Sequence, residues 1–141
     1  MAIRIQSSAY IGRTANLLDY NAAYTKRLVG RIVNDTNGYA HFWAICATAT
    51  ESSGNYQDSD FVGTDADGVT LRAGTYNLSG GLSGTAVTGS TLTVGVDYDI
   101  CVVRESASVL KVYLNGVLDI TVNQSTAGRS AVAGEFMGRF N

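Results

Sequence analysis

Val109-Leu110-Lys111-Val112-Tyr113-Leu114-Asn115-Gly116-Val117-Leu118-Asp119-Ile120-Thr121-Val122 holds two alternating, β-branched runs joined at Asn-Gly. Period-two alternation sends successive side chains to opposite faces of a strand, and Asn-Gly tolerates the two positive φ angles of a type I′ turn. The stretch reads as a β-hairpin. Upstream, Phe61-Val62-Gly63-Thr64 and Val69-Thr70-Leu71-Arg72 flank Asp65-Ala66-Asp67-Gly68 in the same manner. The chain is therefore expected to be built from antiparallel hairpins.

The first hairpin contains a conflict. A strict two-residue turn pairs Leu114 with Val117, which leaves Leu118, Ile120 and Val122 facing away from Leu110, Val112 and Leu114. A three-residue loop with a glycine bulge restores one apolar face. Alternatively both faces are covered, one by a second sheet and one by a partner.

Further apolar runs recur around residues 2–5, 9–12, 27–33, 39–48, 60–63, 69–73, 91–94, 98–104 and 135–140, separated by Gly, Asn, Asp and Ser clusters. This is the pattern of an antiparallel sandwich, not of βαβ units. The expectation is one all-β domain over residues 1–141, with Leu110, Val112, Leu114 and Trp43 in its core. Residues 17–24 can form at most one or two helical turns. The Gly/Ser/Thr-rich residues 77–90 read as a long surface loop.

At 141 residues the chain is long enough to bury a core without staples. Hydrophobic residues make up 45% and charged residues 16%, so Ser, Thr, Asn and Gly must carry the surface. Sixteen glycines and no proline assign the turns to Gly, Asn and Asp. A net charge of -2 with ten scattered Lys and Arg lacks the cationic face that nucleic acid requires. No run has the length of a signal peptide or membrane span, so neither export nor a membrane partner is expected. Cys46 and Cys101 lack metal-ligand spacing; they are buried free thiols or, in an oxidising compartment, an intersheet disulfide.

Residues 65–72, 91–104 and 109–118, with Tyr24-Thr25 followed by Leu28-Val29, resemble the concanavalin A-like, laminin G-like jelly rolls. The resemblance covers roughly residues 24–140 and implies an antiparallel jelly-roll β-sandwich. Two departures stand out. Leu28, Val29 and Gly30 occupy the place where that family usually carries a Trp. Its usual closing strand is also missing after Asn141, which leaves a sheet one strand short unless the segment before Tyr24 fills the gap.

That family holds lectins, glycanases and non-catalytic adhesion or virion modules, so residues must choose among them. Glycoside hydrolysis needs two carboxyls flanking the scissile bond. The Glu-x-Asp-x-x-Glu string of the glucanase branch is absent, and Asp97 with Asp99 and Asp58 with Asp60 read as exposed strand acids or turn formers. His41, the only histidine, has no nucleophile in a recognisable motif beside it. The expectation is a non-enzymatic protein without a cofactor. Asp58, Asp60, Asp65 and Asp67 gather oxygens around one hairpin, either as turn formers or as a Ca²⁺ site. A sugar site would draw its aromatic platform from Trp43, Tyr56, Tyr76 and Tyr98, although a lone Trp in an apolar strand also suits a core.

Two functions follow. The resemblance to phage laminin G-like domains implies a virion module that decorates a bacteriophage head or tail by self-association and contacts with a capsid or tail protein. Phe136, Met137 and Phe140 would then be interface residues along an uncovered sheet edge. The alternative is a carbohydrate-binding, lectin-like module with a glycan partner, located outside the cell or on its surface.

Overall fold

A computed structural model describes residues 11–14, 23–32, 40–46, 60–75, 86–126 and 134–140. Ten strands appear in chain order: β1 (Ile11–Thr14), β2 (Tyr24–Arg31), β3 (Ala40–Cys46), β4 (Asp60–Thr64), β5 (Thr70–Thr75), β6 (Val87–Thr91), β7 (Asp97–Ser106), β8 (Val109–Leu114), β9 (Val117–Asn123) and β10 (Gly134–Phe140). They form a six-stranded sheet, β1-β10-β3-β4-β5-β6, and a four-stranded sheet, β2-β7-β8-β9. Every pairing between them is antiparallel. The expected β-sandwich is what the chain forms.

The hairpin conflict is resolved by two devices at once. Asn115 and Gly116 hold φ of 51° and 81°, and Leu114 pairs with Val117, so the turn has two residues. The register then shifts, Tyr113 pairing with Leu118 but Val112 with Ile120, which leaves Asp119 unpaired as a bulge. That extra residue reverses the phase of β9. Ile120 and Val122 now join Leu110 and Val112 inside, while Val117 stays 70% exposed. Leu114 packs only partly against the core.

Between the sheets lie Trp43, Ile45, Val62, Leu71, Ala73, Leu92, Ile100, Val102, Leu110, Val112, Ile120 and Val122. Across this core runs a buried polar bridge. Arg104 and Asp60, both fully buried, pair through the Nη2–Oδ1 contact and through Nε donating to Oδ2 at 3.1 Å. The same carboxylate accepts from Tyr24 Oη at 2.5 Å and Thr75 Oγ1 at 2.7 Å. Arg104 Nη2 also donates to Thr75 Oγ1 at 2.7 Å. A charge taken out of water needs such a cage.

At one side the two sheets are clasped edge to edge. The bulged Asp119 accepts from Ser90 N at 3.0 Å and from Ser90 Oγ at 2.5 Å, tying β9 to β6. A Cβ on Gly89 would lie 2.1 Å from Asp119 Oδ2, so a side chain here would have to displace the Asp119 carboxylate that clasps β6.

Three expectations change. The supposed loop of residues 77–90 contains most of β6, and the run expected at 91–94 ends instead in a turn where Gly95 takes φ of 82°. Cys101 is a free thiol on the outward side of β7, between Arg27 and Tyr113 in register, which removes the disulfide reading; the Cys46 thiol lies outside the described residues. The C-terminal strand is an inner strand over Gly134–Met137, where β10 pairs with β1 on one side and β3 on the other, while among the described residues Arg139 and Phe140 pair with β3 alone. The segment before Tyr24 thus supplies the missing strand. Residues 2–5 and most of 17–24 lie outside the described residues.

Candidate functional site

Register on the six-stranded sheet decides which side chains share its outer face. The pairs Arg139↔His41, His41↔Gly63, Gly63↔Arg72 and Arg72↔Thr88 define one row across five strands. The next row sets Ala44 opposite Phe61 and Phe61 opposite Gly74. On β4 and β5, then, each large outward residue faces a glycine. With no side chain opposite, Arg72 leans across Phe61, its Cζ 5.6 Å from the ring centroid. The His41 ring lies 4.9 Å from the same ring at 36°.

His41 and Phe61 are buried, and they form the floor of this face. Its accessible part is the half-buried Arg72, Asp65 and Thr70 with the exposed Thr88 and Thr91. Arg72 Nη1 stands 3.9 Å from Asp65 Oδ1, and the hydroxyls of Thr70 and Thr91 are 3.5 Å apart. Donors and acceptors thus alternate above two buried rings. Such a surface offers both donors and acceptors to hydroxyl groups.

Of the four acids expected around a cation, the three described ones do not converge. Asp60 is spent on Arg104 in the interior. Asp67 accepts from Val69 N at 3.0 Å, Thr70 N at 2.8 Å and Thr70 Oγ1 at 2.5 Å, and these bonds, the one from the Thr70 hydroxyl above all, hold its pKa below the ordinary carboxylate value. Asp65 organises the turn through its backbone and lies toward Arg72. Among the described residues no group of three or more His, Cys, Asp or Glu could hold a metal ion, and Asp65 and Asp67 act as turn formers; Asp58 lies outside them.

Trp43 is not an exposed platform. It is 1% exposed, tilted against Tyr24 at 6.0 Å, with Nε1 donating to Glu135 Oε1 at 2.8 Å. Tyr98 is half-buried and its hydroxyl accepts from Thr93 N at 2.8 Å. Tyr56 and Tyr76 lie outside the described residues. Phe136 and Met137 lie where β10 is paired on both sides, and Phe140 where, among the described residues, it pairs with β3 alone; their side chains lie outside what the structure describes. Sequence reading missed Phe61, Arg72 and Thr88. The available signal was Phe61-x-Gly63 and Arg72-x-Gly74 mirrored about one hairpin.

Solved structures supply the comparison. The sheep galectin-11 complex with glycerol superposes with a TM-score of 0.57 at 10% identity, covering 96% of this chain and 93% of that one. The fold is the concanavalin A-like, laminin G-like jelly roll. A toad ovary galectin in complex with thio-digalactose gives 0.57 at 13% identity, covering 92% and 91%. Domains LG4-5 of the mouse laminin α1 chain give 0.61 at 11% identity, over 93% of this jelly roll and 32% of that chain. No protein-family profile matches the sequence, and no curated protein sequence does.

Proposed function

We propose that this jelly roll is a non-catalytic glycan-binding module whose site is the outer face of β4, β5 and β6. The observation that carries the reading is the Arg72 guanidinium laid over Phe61, beside the Asp65 carboxylate and the Thr70, Thr88 and Thr91 hydroxyls. Phe61 is buried and serves only to hold the guanidinium flat, and the accessible guanidinium, carboxylate and hydroxyls suit the hydroxyl groups of a sugar. Likeness to galectins solved with thio-digalactose and with glycerol supports it. Such a module acts where glycans are displayed, outside the cell or at its surface.

The virion-decoration reading drew on an uncovered C-terminal strand. Because β1 covers β10 over Gly134–Met137, little of that edge is left to support it, and the likeness to galectins favours the lectin-like alternative. A glycan array probed with the purified chain tests the proposal. Binding should be seen on one family of glycans and lost in Arg72→Gln and Thr88→Val with melting temperature retained. No binding to any glycan at high micromolar concentration would overturn it.

A further inference from the structure

The Asn115-Gly116 tip carries a chemistry that glycan binding does not use. Asn115 is exposed and left-handed, and it is held to the neighbouring strand twice. Its N–H donates to Asp99 O at 2.8 Å, and its side-chain Oδ1 accepts from Asp99 N at 3.0 Å. Gly116 has nothing within 4 Å of where a Cβ would stand. An asparagine followed by glycine is the least hindered setting for attack of the following backbone nitrogen on the side-chain amide carbon.

We propose that Asn115 is a latent deamidation site, held unreactive by its clamp on Asp99, whose β-linked product cannot rebuild the turn. In the reaction the Gly116 nitrogen, losing its proton to solvent hydroxide, forms a bond to Asn115 Cγ. The Cγ–Nδ2 bond breaks and ammonia leaves with a proton from water. Solvent water then opens the five-membered imide at either carbonyl, giving aspartate or β-linked aspartate, with no redox change. Attack requires the side chain to rotate away from Asp99 N and the tip to leave its left-handed geometry. Both clamp bonds must open first, and two bonds of ordinary net strength correspond to about thirtyfold slowing.

The two products differ sharply. An α-linked aspartate in place of Asn115 keeps an oxygen for Asp99 N–H and tolerates positive φ. The β-linked form adds a methylene to the backbone, so a two-residue turn no longer spans Leu114 to Val117. Asp67-Gly68 has the same glycine but not the same fate. Its carboxylate is fixed by three hydrogen bonds and kept ionised, and an ionised carboxylate resists nucleophilic attack.

The test incubates the folded chain, the chain in urea above its transition, and the free peptide of residues 112–129 at mildly alkaline pH. Tryptic mapping follows the mass gain of amide-to-acid exchange, with Asn37-Gly38 falling in the separate peptide of residues 32–72. Residue 115 should convert in the unfolded chain and the peptide at similar rates, and about thirtyfold more slowly in the folded chain. After removal of urea, β-linked material should stay out of the refolded fraction, whereas Asn115→Asp should refold and melt cooperatively. Equal rates in folded chain and peptide, or β-linked chains refolding as well as the unmodified ones, would overturn the proposal.

Discussion

Replacing Asp60 with alanine removes the acceptor of four contacts made by Tyr24, Thr75 and two nitrogens of Arg104. The guanidinium that remains is fully buried, out of reach of bulk solvent. Stranding one member of a buried ion pair typically costs about 3–5 kcal/mol, a large share of the roughly 5–15 kcal/mol that holds a domain together. Summing the four bonds separately would overshoot, because Thr75 and Tyr24 can find new partners once the carboxylate is gone. Among the described residues Arg104 Nη1 already has no partner, so the bridge is imperfect as a source of stability. Removing both charges, as Asp60→Leu with Arg104→Met, should therefore cost much less than Asp60→Ala alone. Urea unfolding of both single variants and the double variant closes a thermodynamic cycle. If Asp60→Ala loses less than about 1 kcal/mol, or the double variant is worse than the sum of the singles, the charges are not the mutually dependent pair described above.

Other outcomes follow from the same geometry. Gly89→Ala should destabilise by about 1–3 kcal/mol through overlap with Asp119 and Ile120, and much less when combined with Asp119→Ala; thermal melts of the three variants measure the difference. Leu110→Ala should cost about 2–5 kcal/mol while Val117→Thr stays within about 0.5 kcal/mol, and the reverse order in urea unfolding would contradict the bulge at Asp119. Asp67 and Asp99 both have folded pKa values lowered, by hydrogen bonds from Thr70 and from Arg27 respectively. Their stabilisation is complete above the unfolded pKa of about 4 and is lost as pH falls through the lower folded values, so stability should drop below that pH, with a shallower drop in Asp67→Asn. An unchanged acid slope in Asp67→Asn would show that the turn does not depend on the ionised carboxylate.

What the sequence disclosed was local. Residues 109–122 announced their hairpin because turn chemistry and alternation lie within one short stretch, and residues 65–68 did the same. The phase conflict in β9 was also visible, but its resolution needed Asp119 to meet Ser90, 29 residues earlier in the chain. Strand β6 was read as a loop because Val87-Thr88-Gly89-Ser90-Thr91 has two weak strand formers, and its glycine answers to a carboxylate on another sheet. The bridge of Arg104 to Asp60 spans 44 residues and leaves no periodic trace. Candidate site residues were missed for a similar reason: Phe61, Arg72 and Thr88 come from three strands, and only register puts them on one face. Trp43 was legible as core, and treating it as a sugar platform assigned an exposed role to a side chain that the apolar run around it buries.

The position of β10 has a consequence for synthesis on the ribosome. Strands β3, β4 and β5 are neighbours in sequence and can pair as they emerge. Strands β1 and β3, however, flank a place that stays empty until residues 134–140 have been translated. The four-stranded sheet does not wait for that strand, since its own last strand ends at Asn123. The nascent chain should therefore pass through a stage with one sheet complete and the other split, when it is most open to pairing with other chains.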